Sequence, residues 1–427
     1  MGARPGPRAR VRVGTAHRNP NGDPVPGGSG GSGDEGDRVI YIAIFIAVLV
    51  LSIVIHEAGH FSTARLFGMK AERFFFGFGP TLWSVWRGET EYGVKAIPAG
   101  GFVRIAGMNK HDPVAPGDEH RAFHRFPAWQ RLVVLAAGSF THFVIAFVLI
   151  VFVLAAFPIP SLADSQDPQP VVGAVEEGSA AEEAGLEVDD ELLAVEGEPL
   201  DSPEEVVEAI EPHAGEAITI TFARDGEVGE TVARLPETDP DGEDSGFLGI
   251  GIGVAQPDVR EPSGLGAAVA DAFRGEYSLW SQTALTVQGL VEAFSPDTLR
   301  SWVQQAEPGA ERTAEGPVSL VGAGQLAGAL GGLGELGPLF LLLVQLNIVI
   351  GIINMAPLPP FDGGHVAQVL IEAAVNGVRR LAGLAPDWEL SPSVMTPLAL
   401  LVLVLIGGFV LTAFYIDIVN PVSNLFQ

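Results

Sequence analysis

The 427-residue sequence contains no cysteine. That excludes disulfides and thiolate metal sites, leaves the redox compartment open, and restricts any metal to His, Asp or Glu ligands. Charge is scarce as well: 18% of residues are Asp, Glu, Lys or Arg, against 47% hydrophobic, and the mean hydropathy is +0.31. A chain this long could hold two or three soluble domains, but this balance points to a membrane protein with a soluble part. Lysine is nearly absent, 3 against 21 arginines, which with the acidity fits a GC-rich genome or a salty habitat. No P-loop, no Ser-His-Asp order and no GxGxxG context occurs, and nothing points to nucleic acid.

Four apolar runs have membrane length: residues 39–55, 132–157, 338–355 and 396–415. The net charge of −28 is spread unevenly between them. Residues 65–131 hold ten Lys/Arg against six Asp/Glu, whereas 158–337 hold six against thirty-six. Cation-rich short loops stay in the cytoplasm. The first loop is therefore expected inside and the acidic segment outside, in a multi-pass protein of the plasma membrane. Residues 1–38 are then outside too, although five arginines precede Asn19. Their Gly-, Pro- and Ser-rich composition reads as a disordered tail. It lacks the apolar stretch of about 7–15 residues that follows the basic region of a signal peptide, so 39–55 reads as a retained span.

At the end of that first run stands SIVIHEAGHF (52–61), with His56-Glu57-x-x-His60. On a helix, residues i and i+4 share a face, so both imidazoles can give a nitrogen to one Zn²⁺ while Glu57 stands beside it to take a proton from water. Two histidines and a glutamate after seventeen mostly apolar residues are costly to bury without a function. A third ligand is needed, and the candidate is Asp362 in NMAPLPPFDGGH (354–365). Three prolines should break the helix there, Gly363-Gly364 should free the backbone, and Asp362 should sit on an irregular segment at membrane depth. Because the second span returns the chain, spans one and three run parallel, and both half-sites reach the cytoplasmic side.

These paired motifs resemble the site-2 protease family of intramembrane zinc proteases, closest to its PDZ-bearing, actinobacterial-like branch. Phe74–Met108 and EGPVSLVGAGQLAG (315–328) fit as well, and the likeness covers roughly residues 39–420. One departure is Phe361, where the family has leucine. The resemblance implies Zn²⁺ held by His56, His60 and Asp362, Glu57 as general base, and Asn354 as a polar contact to unwound substrate. The alternative for Asn354 is a helix C-cap. It also implies single-span membrane proteins as substrates, such as anti-sigma factors and leftover signal peptides, cut after prior trimming of their exterior part.

The expected fold is a polytopic α-helical membrane protein with four transmembrane helices, a membrane-associated β-hairpin region and an inserted extracytoplasmic α+β PDZ-like domain. Its parts are a tail (1–38), the first span with the metal motif (39–66), a cytoplasmic-side loop with re-entrant hairpins (67–130), the second span (131–157), the PDZ-like domain (168–236), a linker and amphipathic helical region (237–337), the third span (338–365) and the fourth (396–416). Residues 74–108 alternate in places and read as short hairpins turning at Gly77/Gly79, 87–88 and 98–101. Their free edge can hold an extended substrate by strand addition, or the hairpins can simply plug the bundle. In the PDZ-like part, Ser202 caps a helix with proline at N1, and a hairpin turns at Asp225-Gly226. Residues 263–294 read as helical and amphipathic, lying on the outer membrane surface near the PDZ-like module. His365 is either a support to the metal site or a packing residue, and His142 in span two bonds to a neighbouring helix. Two rival functions remain at this stage: a prenyl-protein-type membrane metalloprotease, and an inactive scaffold that binds through its PDZ-like module.

Overall fold

The computed structural model describes residues 32–108, 112–160, 169–200, 202–224, 226–238, 245–254, 259–310, 312, 316–333 and 336–421. The tail up to residue 31, Asp225 and the linker at 239–244 lie outside these. In chain order the elements are α1 (Ser32–Leu66), β1 (Ala71–Arg87), β2 (Thr90–Ile105), α2 (Ala128–Ala156), β3 (Ile159–Pro160), β4 (Pro170–Val175), α3 (Ala180–Ala184), β5 (Glu191–Val195), β6 (Glu198–Pro199), α4 (Pro203–Ile210), β7 (Ala217–Arg224), β8 (Glu227–Arg234), β9 (Ile250–Val254) and β10 (Val259–Arg260). They continue with α5 (Leu265–Arg274), α6 (Leu279–Ala293), α7 (Pro296–Gln305), α8 (Leu320–Leu333), α9 (Leu336–Asn354), α10 (Asp362–Leu381) and α11 (Pro392–Val419). Pro158–Glu261 forms one compact unit; Gly30–Phe157 with Pro262–Gln427 forms the other.

Among the described residues of the helical unit four helices are long and apolar enough to cross a membrane: Gly36–Leu66, Ala128–Ala156, Leu336–Asn354 and Ser393–Val419. Lipid gives such helices no hydrophobic reason to associate, so small residues that let backbones approach must do it. They stand where the helices meet. A Cβ on Gly59 would lie 2.7 Å from the Ala137 carbonyl oxygen, one on Gly351 3.0 Å from the Phe143 ring, and one on Gly331 2.9 Å from the Tyr41 ring. Around the Gly331 contact, Tyr41, Phe45, Ala327, Leu339 and Leu343 make a buried cluster joining α1, α8 and α9. Helix α11 is different, since its apolar surface is almost wholly exposed. Its last turns are tied down by the buried Ala413 and Ile416 and by polar contacts. Asp417 accepts from Arg312 Nη2 at 2.9 Å and from the Ser319 N–H at 2.7 Å, and Asn420 donates to the carbonyls of Gln305 and Glu307.

The residues that read as several short hairpins form one long ribbon, β1 with β2, and its one tight turn is at Gly88-Glu89. The other expected turn sites fall inside the strands. Gly77, Gly79 and Gly100 take positive φ there, and the register shifts repeatedly between Ala71 and Trp83. The ribbon doubles on itself, so that Phe74 lies between Val103 and Tyr92. Bulged glycines bend a strand without ending it. Residues 263–294, expected to be helical, form two helices, α5 and α6, parted at Gly275–Ser278.

In the other unit the strand order is β8-β7-β5-β4-β9, with β6 on β5. Its core contains Val172, Leu192, Ile218, Ile220, Leu235 and Leu248. Here water is the reference, and burying each large aliphatic side chain contributes roughly 1.5–3 kcal/mol. Helix α4 begins as its sequence dictates: the Ser202 hydroxyl accepts the Glu205 N–H, with proline in the first turn. Strand β9 comes from residues past 236 that read as linker; its Ile250-Gly-Ile-Gly-Val254 stretch is short and glycine-rich, which hides the strand pattern.

Candidate metal centre

His56 and His60 lie one turn apart on α1, with ring centroids 4.9 Å apart and planes at 83°. Asp362 arrives from the far end of the chain. The break after α9 is shorter than the sequence suggests: it ends at Phe361, and Asp362 is the first residue of α10. Gly363 and Gly364 serve close contact there rather than freedom. A Cβ on Gly363 would lie 2.3 Å from the Met355 carbonyl oxygen, and one on Gly364 2.5 Å from the Pro359 nitrogen. The tightly folded proline loop thus sets Asp362 against α1.

Three atoms converge. His56 Nε2 and His60 Nε2 are 3.3 Å apart, and Asp362 Oδ2 lies 3.4 Å from the first and 3.3 Å from the second. Ligands placed tetrahedrally about 2.0–2.1 Å from an ion are about 3.3–3.4 Å from one another. The triangle therefore has the size of one face of a zinc tetrahedron, and the fourth vertex is free. One of them is left unsatisfied by hydrogen bonding: Asp362 Oδ2 is buried with no hydrogen-bond partner. Among the described residues this is the one group of three His, Asp or Glu side chains close enough to hold a metal.

The surroundings orient the group. His60 Nδ1 lies 2.8 Å from the Val134 carbonyl oxygen of α2, which fixes the ring and leaves Nε2 to face the others. Gly138, one turn further along α2, has no room for a side chain, because a Cβ would lie 2.2 Å from His60 Nε2 and 2.7 Å from His56 Cε1. His142, wholly buried, packs its ring 5.0 Å from that of His56 and bonds through Nδ1 to Asn347 Oδ1 of α9 at 3.0 Å. Glu57 sits under β2: the Val103 N–H hydrogen-bonds it, and a Cβ on Gly101 would lie 2.8 Å from its Cγ. Asn354 is the last residue of α9 and half-buried. His365 does not join the triangle. It lines a cavity of about 600 Å³ together with Arg131, Pro360, Glu372 and Trp388.

Motif spacing does not reveal Gly138, Val134 or Asn347. Their one signal is compositional: small residues (Ala136-Ala-Gly-Ser139) and a lone amide inside otherwise apolar spans mark close approach and interhelical bonding.

Residues 44–382 match the model of peptidase family M50. The chain is 34% identical over 413 residues to zinc metalloprotease Rip1 of Mycobacterium tuberculosis, covering 90% of this chain and 98% of that protein. It is 33% identical over 421 residues to zinc metalloprotease Rip1 of Mycolicibacterium smegmatis, covering 91% and 99%. A fifth of the chain is similar, at 21% identity and a TM-score of 0.18, to 87% of the solved PDZ domain of an SdrC-like protein from Listeria monocytogenes. With its paired motifs, its converging ligand triangle and matches along nearly its whole length, the chain belongs to peptidase family M50, the site-2 protease family, and is a zinc metalloprotease.

Proposed function

We propose that this protein cuts single-span membrane proteins within or near their membrane helix, after another protease has trimmed the exterior part. His56, His60 and Asp362 hold the zinc, and Glu57 is the general base. The observation that carries this reading is the 3.3–3.4 Å triangle at the end of an apolar helix. When bound, the ion supplies Lewis acidity and makes a water nucleophilic at neutral pH. Glu57 takes the proton of the attacking water and passes it to the leaving amine as the peptide bond breaks. The Val103 N–H holds that carboxylate in place. Asn354 contacts the unwound substrate from the end of α9.

A peptide bond in a helix is shielded, so the substrate must be extended first. The Gly101–Val103 edge of β2 lies directly at Glu57, and an extended backbone added there is delivered to the base. The charge distribution supports an active site near the cytoplasmic face, and a PDZ-like domain outside that excludes substrates with bulky exteriors. Substrates of the anti-sigma-factor kind, and signal-peptide remnants, fit this geometry.

The test is cleavage of a single-span reporter, with its exterior domain removed, by wild type and Glu57→Gln, with bound zinc assayed in both. Cleavage by wild type alone at equal zinc supports the reading. Equal cleavage by Glu57→Gln removes Glu57 as base, and no cleavage of any truncated reporter by the zinc-loaded wild type refutes the protease reading.

A further inference from the structure

The family match begins at residue 44, and nothing derived so far uses the residues before α1. Their first eighteen contain Arg4, Arg8, Arg10, Arg12 and Arg18 and no acid; the first acid is Asp23. Within them, Arg8-Ala-Arg-Val-Arg-Val13 alternates cation and small apolar residue. Side chains alternate across a strand, so this hexapeptide as a strand has one cationic and one apolar face.

The unit from Pro158 to Glu261 is its electrostatic opposite. It holds three arginines, no lysine and 28 Asp/Glu, a net of −25. One arginine, Arg224, is already engaged by Asp190 and Glu187. Strand β9 ends the sheet order, so among the described residues its outer edge has no strand partner. Exposed acids stand near the start of β9: Glu208 is on the last turn of α4, and the carbonyl of Glu211 just after it accepts the Gly246 N–H, while Glu176 and Glu177 follow β4 on the paired side of β9. Ile250 and Ile252 are only partly buried. An open strand edge with apolar positions and a rim of acids fits a basic, alternating strand.

We propose that residues 8–13 of this chain add to the outer edge of β9, so that the protein carries its own occupant of that edge. The proposal rests on α1 and α2 crossing the membrane in opposite senses. The chain entering α1 and the chain leaving α2 then emerge on the same side, whichever side that is. Reach is ample: the 31 residues before α1 span up to about 100 Å when extended. A rival occupant for clustered arginines is an anionic bilayer. The sequence disfavours it, because Asp23, Asp34, Glu35 and Asp37 stand between the arginines and the membrane-length part of α1. A substrate or partner that binds the edge must displace the segment first.

The absence of cysteine makes introduced cysteines unambiguous probes. Ala3→Cys and Val228→Cys, treated with membrane-impermeant maleimide on intact cells, are expected to label from the same side. Labelling from opposite sides overturns the crossing pattern and the proposal with it. For docking itself, the full chain in neutral micelles carries spin labels at Thr15→Cys and Ala174→Cys, the latter exposed on β4 beside β9. A short-distance population is expected. It should vanish in Arg8→Gln/Arg10→Gln/Arg12→Gln and in about 1 M salt, where screening acts over about 3 Å. A peptide of residues 4–18 should bind the chain lacking residues 1–31, weakening on the order of tenfold or more across that salt range. Same-side labelling without a short-distance population overturns docking but leaves the crossing pattern standing. A short distance that survives the triple substitution removes the arginines as its cause. Loss of the short distance on transfer to vesicles of anionic phospholipid assigns the segment to lipid and overturns the proposal.

Discussion

Gly138→Ala is expected to disable this protein although it removes no ligand. The added Cβ would stand 2.2 Å from His60 Nε2 and 2.7 Å from His56 Cε1. An ordinary contact between carbon and such atoms is about 3.5–4.0 Å, so an imidazole must yield by more than about 1 Å. Neither has free space. His60 is held at its other nitrogen by Val134, on the same helix as the new methyl, and His56 packs against His142. A metal site tolerates about ±0.2 Å in its ligand distances, so the triangle cannot keep its 3.3–3.4 Å edges. Metal affinity should fall about 10–100-fold, the usual effect of disturbing a ligand's support. Misplacement on the 1 Å scale costs about 100-fold in rate. Overpacking destabilises the fold by only about 1–3 kcal/mol, so the protein should remain folded. The assay is bound zinc after dialysis and cleavage of the truncated reporter, beside thermal unfolding in micelles. Gly408→Ala is the control, since nothing lies within 4 Å of a Cβ there. Full zinc and full activity in folded Gly138→Ala would refute the claim that Gly138 makes room for the ligands.

Two further perturbations test what holds the rest together. Asp417→Leu leaves Arg312, itself almost fully buried, without its counter-charge. The expected cost is about 3–5 kcal/mol, and adding Arg312→Met should recover part of it in a double-mutant cycle read by thermal unfolding. Asp190 titration should govern the acid stability of the β-sheet unit. Burial opposes its ionisation, but hydrogen bonds from Arg224 (2.6 and 2.7 Å) and from the Glu187 N–H (2.8 Å) outweigh it and hold the carboxyl below the usual carboxylate range. A lowered folded pKa gives stability that is present above the unfolded value of about 3.9 and lost as pH falls through the folded one. Hydrogen exchange of β5 and β7 in the full chain should therefore accelerate below about pH 4, and Asp190→Asn should flatten that dependence.

How much of this could be read from the residues alone depends on the range of the cause. Helix α4 and its Ser202 cap, and the β7–β8 hairpin, follow from neighbours within four residues, and the sequence displays them openly. The metal triangle was legible for another reason. A function that requires charge inside an apolar run leaves a conspicuous mark, and two such marks in spans forced parallel have few ways not to meet. The doubled ribbon was not legible, because Gly77, Gly79 and Gly100 offer the same signal to a turn as to a bulge. The choice between them is made by long-range pairing: Phe74 stacks between Val103 and Tyr92, and ending the strand at Gly77 would forfeit that arrangement. Asp362 is the instructive case between these extremes. The prolines correctly announce a broken helix, yet a break at the end of so apolar a helix leaves backbone groups that must be satisfied inside the protein. The chain meets that demand by restarting a helix as early as it can, and Gly363 and Gly364 allow the restart to press against Met355 and Pro359. Glycine signals freedom in a sequence read locally; against another backbone it signals contact, and the aspartate gains its place against α1 from the second property.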